Sequence, residues 1–295
     1  MILLTKLKQV KLAWKNTIWI SHIKRRVCNM NNSQSFTFSK RLKSMLKVDF
    51  RRLFTTPLFY IICGASLVIP ILIFVMTSMM DGTVMVDPTT GKETIMEGFK
   101  YVWQALGSAS STNAAMKMDL VSMCNINMMF FFIAVIVCLF ISDDFRSGYS
   151  KNLFTVRSSK VDYIISKTLV GIVCGMAIIL FYFVGSLLGG AMSGLSFEMV
   201  DTTPSGIVMC LLSKMLLVAV FVPIYVCMSV IGKQKVWLSM LISFGVSMLM
   251  FMMVPIISPL DSTIINVIFS FVGGLLFSIG LGVVSNKILN KTRLV

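Results

Sequence analysis

Six long runs of apolar residues dominate the pattern of hydrophobic and polar positions along this chain. Each is long enough to cross the roughly 30 Å hydrocarbon core of a bilayer as an α-helix, which needs about 20 residues. Transmembrane β-strands would instead alternate apolar and polar residues in segments of about ten. The pattern therefore predicts an all-α integral membrane protein whose single membrane domain, residues 58–295, has six transmembrane helices at 58–80, 122–142, 168–192, 211–231, 237–258 and 264–285.

A different periodicity precedes the first apolar run. Between residues 39 and 54 apolar side chains recur at helical spacing, while Lys43, Lys47 and Arg51 line another face. Such a helix is suited to lying in the membrane interface. Its apolar face would consist of Leu42, Met45, Leu46, Phe50, Leu53 and Phe54.

The region before the first run thus has two parts. We assign residues 37–57 to an amphipathic interfacial helix, which Ser39 can cap and Pro57 limits. Residues 1–36 form a basic N-terminal extension. Within it, segment 3–19 is either a second interfacial helix or a dispensable extension.

The distribution of charge sets the expected orientation. The net charge is +15, and 13 of the 27 Lys and Arg residues precede residue 58. Five more lie in the connection 143–167, whereas the connection 81–121 has three Lys against five acids. Because Lys and Arg concentrate in cytoplasmic loops, both termini are expected in the cytoplasm of a multi-pass, bacterial plasma-membrane protein. Anionic lipids account for the positive charge without nucleic acid.

The connection 81–121 is too long to be a simple turn and is expected outside the cell. Segments 83–86 and 92–96 flank an Asp-Pro-Thr-Thr-Gly turn and predict a small hairpin. Apolar residues between 95 and 106 then fit a short helix with one apolar face.

Sequence motifs that would carry enzymatic chemistry are missing from the chain. It has one histidine, no His-Glu-x-x-His and no phosphate-binding Gly-x-x-x-x-Gly-Lys-Ser/Thr. We therefore predict no catalytic residue, no metal site and no cofactor in this chain. The one clear charge inside a span is Lys214. It is interpreted either as snorkelling to water, which we favour, or as a cation facing a transport pathway.

The most informative segment follows the second span. It reads Ile141-Ser-Asp-Asp-Phe-Arg-Ser-Gly-Tyr-Ser-Lys-Asn-Leu-Phe154, with Ser159-Lys160 and Ser166-Lys167 before the third span. This order resembles the transmembrane subunits of ABC-2-type ATP-driven exporters. In that family an acid closes the second span, a glycine turn follows, and a short basic coupling helix precedes Ser-Arg and Ser-Lys pairs.

The sequence departs from the family pattern at three places. Lys160 stands in place of the usual arginine, Tyr149 where threonine is common, and Arg157 in place of a glycine or proline. The resemblance covers residues 37–295. The positions it implicates in coupling to an ATPase are Asp144, Arg146, Gly148, Tyr149, Lys151, Asn152, Leu153, Phe154 and Lys160.

The resemblance implies a permease subunit that forms an export pathway and binds a separate cytoplasmic ATPase, which would hold ATP and Mg. A second copy or a sister permease would complete the unit. Leu153 and Phe154 are expected to anchor the coupling helix in the ATPase, and Asp143 and Asp144 either pair with the amphipathic helix or are hydrated. A peptide antibiotic or hydrophobic drug is the expected cargo. The alternative is a channel or scaffold that uses no ATP.

Overall fold

The fold is taken from a computed structural model, which describes residues 38–80, 82, 84–86, 93–95, 98–107, 124–156, 160–200, 202–233 and 235–291. The chain divides into two units, residues 1–41 and 42–295. Of the first unit, only residues 38–41 are described, and they are helical. The interpretations of segment 3–19, of the hairpin turn and of Arg157 and Ser159 lie outside the described residues.

Helices make up most of the described part of the chain. In chain order the elements are α1 (Phe38–Thr55), α2 (Pro57–Met80), β1 (Val84–Val86), β2 (Glu93–Ile95), α3 (Met129–Arg146), α4 (Tyr149–Val156), α5 (Val161–Ser193), α6 (Pro204–Gly232), α7 (Val236–Phe251), α8 (Val254–Ile257) and α9 (Ile264–Lys291). Five of these helices, α2, α3, α5, α6 and α9, are long and apolar enough to cross a membrane, and α7 is a shorter apolar helix. The predicted all-α membrane fold is confirmed.

Several helices extend beyond the apolar runs that predicted them. Helix α5 begins at Val161 instead of residue 168, and α9 continues to Lys291. Helix α6 begins at Pro204, where proline suits the first helical position, and the Thr203 hydroxyl accepts a 3.1 Å hydrogen bond from Gly206 N. An apolar run ends at the first charged or polar residues, whereas the hydrogen bonding of the helix continues through them.

The fifth predicted span is interrupted. Helix α7 ends at Phe251 after 16 residues, and α8 begins at Val254, with two residues between the helices. Pro255 explains the break, because a proline ring clashes with the carbonyl four residues earlier and has no N–H to donate. That carbonyl belongs to Phe251. The prediction of one continuous helix over 237–258 was therefore wrong.

Helix α6 lies at the centre of the bundle and packs against α3, α5, α7 and α9. The rings of Phe130 on α3 and Phe221 on α6 stack with centroids 4.3 Å apart. Tyr225, one turn further along α6, donates its hydroxyl to Phe130 O at 3.1 Å. Gly171 of α5 lies directly against Val222 of α6, where a β-carbon would collide with the valine. Small residues thus allow close helix contact.

Helix α7 contacts α3 and α6 through a row of three buried serines at every fourth position, Ser239, Ser243 and Ser247. Ser247 Oγ donates to the Tyr225 hydroxyl at 2.8 Å, and Ser243 Oγ lies 3.2 Å from Cys138 Sγ. The large side chains of α7 point away from these contacts, and Trp237 and Leu249 are strongly exposed. The exposed face is suited to lipid.

The predicted hairpin after the first span is confirmed by antiparallel pairing of β1 with β2. The short helix expected between residues 95 and 106 is reduced to a 3₁₀ turn at Val102–Ala105. Val102 is buried against Gly190 near the end of α5. Trp103 Nε1 donates to Phe197 O at 3.1 Å, which fixes this segment to the α5–α6 connection.

Candidate functional site

The amphipathic helix α1 contributes an unexpected residue to the interior. Its buried positions are Met45, Asp49 and Leu53, spaced four residues apart on one face. The predicted apolar face thus has a carboxylate at its centre. Asp49 is the only acid among the first 57 residues, and that isolation within a basic segment is the signal that sequence reasoning missed.

Two carboxylates and two cations meet where α1 contacts α3 and α5. Lys167 Nζ lies 2.8 Å from Asp49 Oδ1 and 2.7 Å from Asp144 Oδ2, and all three side chains are fully buried. Arg52 Nη1 lies 2.6 Å from Asp144 Oδ1. The four charges sum to zero. We call Asp49, Arg52, Asp144 and Lys167 the charge cluster.

Hydrogen bonds satisfy the remaining oxygen atoms of the charge cluster. Ser166 Oγ donates to Asp49 Oδ2 at 2.6 Å, and the Tyr163 hydroxyl donates to Asp144 Oδ2 at 3.1 Å. The Lys167 ammonium also lies 3.9 Å from the centroid of the Phe140 ring, within the range of a cation–π contact. Good geometry of this kind is what allows buried charges to be retained.

Arg52 is the most exposed member of the charge cluster, with 29% of its side chain accessible. Burial lowers the pKa of its guanidinium, but the adjacent Asp144 carboxylate outweighs this effect and raises that pKa above its ordinary value. The guanidinium also lies 4.4 Å from the Tyr149 ring centroid. Asp144 therefore pairs with the amphipathic helix, which was the first of the two alternatives for this residue. Asp143 is exposed.

The segment after α3 turns sharply before α4. Gly148 has φ +75°, a conformation that glycine adopts without the steric cost of a side chain. The glycine turn expected from the sequence is therefore present. Arg146 ends α3 in an exposed position.

Helix α4 has one exposed face and one packed face. Lys151, Asn152 and Thr155 are exposed. Leu153 and Phe154 pack against the chain's own core, with the Phe154 and Tyr163 rings edge to face at 5.4 Å. Both side chains are only partly buried by these contacts, and their expected role in anchoring α4 in a partner remains a prediction.

Lys160 lies between α4 and α9. Its ammonium donates to Leu289 O at 2.7 Å, near the C-terminal end of α9, and lies 5.7 Å from the Phe154 ring centroid. Carbonyls in the last turn of a helix lack intrahelical partners and attract cations. Lys160 is thus engaged within the chain, while Tyr163 and Ser166 complete the surroundings of the charge cluster.

Lys214 lies apart from the charge cluster, three turns into α6. It is fully buried, and its ammonium donates to Asn127 Oδ1 at 2.6 Å beside the N-terminal end of α3. The favoured interpretation of snorkelling to water was therefore wrong. Its role as a pathway cation remains a prediction.

These features define a multi-pass membrane protein in which buried ion pairs fix the amphipathic helix α1 to the spans and the short helix α4 presents an exposed polar face. No group of three or more metal-ligating side chains occurs in the described part of the chain. Residues 45–250 match the family model of the ABC-2 family transporter proteins. No curated protein and no solved structure matches.

Because the family match spans well over half of the 295 residues, the chain belongs to the ABC-2 family of transporter proteins. It is an ABC transporter permease, a transmembrane subunit that is not itself catalytic.

Proposed function

We propose that this permease docks a separate cytoplasmic ATPase on the exposed face of α4, the coupling helix, and transmits the movement of the ATPase to its spans. The observation that carries the proposal is the attachment of α4. Phe154 packs on Tyr163 at the start of α5, and Tyr163 in turn binds Asp144 of the charge cluster. A force on α4 therefore acts directly on two membrane helices.

The orientation in the membrane is part of the proposal. Helix α1, α4 and the C-terminal end of α9 lie at one end of the bundle, joined by the Arg52–Asp144 and Lys160–Leu289 contacts. We call this the basic end, because the described parts of α1, α4 and α9 expose cations here, namely Lys43, Lys47, Arg51, Lys151, Lys287 and Lys291. The excess of cations supports a cytoplasmic location for the basic end and for both termini.

The charge cluster suits a transmission element because its contacts are short, buried and directional. Asp144 on α3 is bound from α1 by Arg52 and from α5 by Lys167. Opening this cluster would leave buried charges unpaired, at a cost of about 3–5 kcal/mol. The three helices should therefore move together as a rigid unit, as required for a rigid-body switch.

The working unit in this proposal contains two permease chains, identical or sister, and two ATPase subunits that bind ATP and Mg. The cargo is a peptide antibiotic or hydrophobic drug, a choice supported by the 24 methionines of this apolar chain, since flexible thioether side chains adapt to varied apolar surfaces.

The exposed face of α4 provides the test. Lys151→Glu and Asn152→Arg change only exposed side chains, so folding should be unaffected while the ATPase interface is disturbed. Loss of a central contact costs about 2 kcal/mol or more, which corresponds to roughly 30-fold weaker binding. The measurement is co-purification of an ABC ATPase with the tagged permease from its host cells, together with cargo-stimulated ATP hydrolysis.

Lys235→Glu is the matched control, because Lys235 is also exposed, carries the same charge and lies in the short connection between α6 and α7. It should retain ATPase binding. If the α4 variants bind the ATPase as the wild type does, α4 is not the docking element. If the wild-type chain binds no ATPase, the result contradicts the exporter proposal and favours the channel or scaffold alternative.

A further inference from the structure

A second feature of the molecule lies outside the charge cluster, on the bundle surface between α5 and α9. A groove of about 520 Å³ runs between these helices, with Leu216 and Ala219 of α6 at its floor. Its volume falls within the range of small-molecule sites, about 300–1,000 Å³. Its lining is almost entirely aliphatic, with polar side chains only at a few positions.

Small residues on α9 create the groove. Gly274, Ser278 and Gly282 recur at every fourth position and line it. Gly274 lies against Ala219, which draws α9 onto α6, whereas a β-carbon at Gly282 would meet nothing within 4 Å. The helices are thus close at one level and separated by open space nearer to the basic end.

The length of the groove matches one leaflet of a bilayer. Its lining runs from Val161 to Met176 on α5 and from Phe271 to Asn286 on α9. Fifteen residues of helix rise about 22 Å. A bilayer with its headgroups is about 40–45 Å thick, so half of it is about 20–22 Å. The groove therefore extends from the headgroup level to about the midplane.

The two ends of the groove differ in polarity. At the midplane end the lining is apolar, whereas Asn286 lines the end where Lys160 binds the last turn of α9. Lys287 and Lys291 are exposed at this same end. The neighbouring acid, Asp162, is buried and so does not offset these cations at the surface.

We propose that this groove binds one anionic phospholipid from the leaflet on the basic side, with an acyl chain in the groove and its phosphate near Lys160 and Lys287. A packed helix fits poorly, because a cylinder about 10 Å wide and 22 Å long occupies on the order of 1,700 Å³. The inference rests on the proposed function only in assigning this leaflet to the cytoplasm.

A pair of glycines on one helix supplies the test. Gly282→Leu places a side chain in the groove, whereas Gly280→Leu places one at an exposed position on α9 that also has nothing within 4 Å and does not line the groove. The full-length permease is delipidated in detergent and titrated with phosphatidylglycerol or phosphatidylcholine of identical acyl chains. Bound lipid is counted by native mass spectrometry.

We expect one phosphatidylglycerol per wild-type chain, unchanged in Gly280→Leu and at least about tenfold weaker in Gly282→Leu, a loss of about 1.4 kcal/mol. Lys287→Gln/Lys291→Gln should retain acyl binding but lose the preference for phosphatidylglycerol. Equal retention by the two glycine variants, or equal binding of both lipids by the wild type, would overturn the proposal. Displacement of the lipid by a hydrophobic drug but not by a second lipid would reassign the groove to cargo.

This experiment is independent of the ATPase. Lipid retention is measured on the permease alone, so failure of ATPase docking leaves its result interpretable. Conversely, Gly282→Leu should still co-purify with the ATPase, because neither Lys151 nor Asn152, the α4 residues changed in the docking test, lines the groove. Loss of both lipid and ATPase binding in one variant would indicate misfolding, which a low yield of monodisperse protein would reveal. In that case Ser278→Leu repeats the test at a second lining position.

Discussion

Replacement of Lys167 by methionine tests the charge cluster most directly. Methionine has nearly the same length but no charge, so the packing volume is kept while both bonds to Asp49 and Asp144 are lost. Asp144 would retain Arg52 at 2.6 Å, whereas Asp49 would keep the Ser166 hydroxyl. The main consequence is therefore a fully buried Asp49 carboxylate that has lost its Lys167 ion pair.

The loss in free energy of unfolding expected for Lys167→Met follows from the two lost contacts, at 2.8 and 2.7 Å. Hydrogen bonds to charged groups contribute about 1.5–3 kcal/mol each, which gives about 3–6 kcal/mol for the pair. Removing one partner of a buried ion pair costs about 3–5 kcal/mol, in agreement. At about 2–4 °C per kcal/mol, the melting temperature should fall by roughly 10 °C.

Intrinsic fluorescence of the detergent-purified protein during heating provides the assay. Adding Asp49→Asn to Lys167→Met removes the orphaned charge, so the double variant should recover part of the loss, with a coupling of about 0.5–3 kcal/mol. Arg51→Met, an exposed change on the same helix, should alter stability by less than about 0.5 kcal/mol. Strict additivity of the two losses, or a Lys167→Met effect no larger than the control, would refute the reasoning.

Three further predictions concern other parts of the molecule. Gly148→Val should strain the turn at φ +75° by about 1–2 kcal/mol and reduce ATPase co-purification while monodisperse yield is kept; normal docking would argue against a required turn. In a cysteine-free background, an impermeant thiol reagent on intact cells should label Glu198→Cys and spare Lys235→Cys, and the reverse pattern would invert the proposed orientation. Lys214→Met should leave the melting temperature unchanged or higher. The variant no longer carries the cost of burying an ammonium, and this gain offsets the cost of leaving Asn127 Oδ1 without its hydrogen bond. A fall beyond about 5 °C would mean that the ammonium has a stabilising anionic partner, and loss of transport alone would support a pathway role.

The sequence was sufficient for features that depend on local pattern. Apolar runs identified the membrane helices, and the order of Asp144, Gly148 and the residues after it indicated the glycine turn and the short helix α4. Ion pairing between distant positions was beyond such reasoning. Lys167 appeared to lie in a polar loop because its charge interrupts the apolar run, yet Asp49, 118 positions away, neutralises it inside the bundle.

The same limit applies to the contacts of Leu153 and Phe154 and to the error at Lys214. An apolar pair on an amphipathic helix fits a partner's groove and the chain's own core equally well until the position of Tyr163 is known. A lysine near the end of an apolar run fits a snorkelling side chain unless a buried amide such as Asn127 lies within reach. By contrast, Pro255 was visible in the sequence, and its clash with the Phe251 carbonyl could have predicted the break after α7.

That break has a consequence for the surrounding bilayer. The 16 residues of α7 rise only about 24 Å, less than the roughly 30 Å of hydrocarbon that a straight span must cross. Lipids beside the exposed Trp237 and Leu249 must shorten, or the helix must tilt little and depend on α8 to complete the crossing. Each Å of mismatch between the helix length and the hydrocarbon thickness costs a fraction of a kcal/mol. Reconstitution into bilayers of increasing acyl length should therefore lower transport activity gradually. The thickness of the host membrane would then influence the activity of this permease.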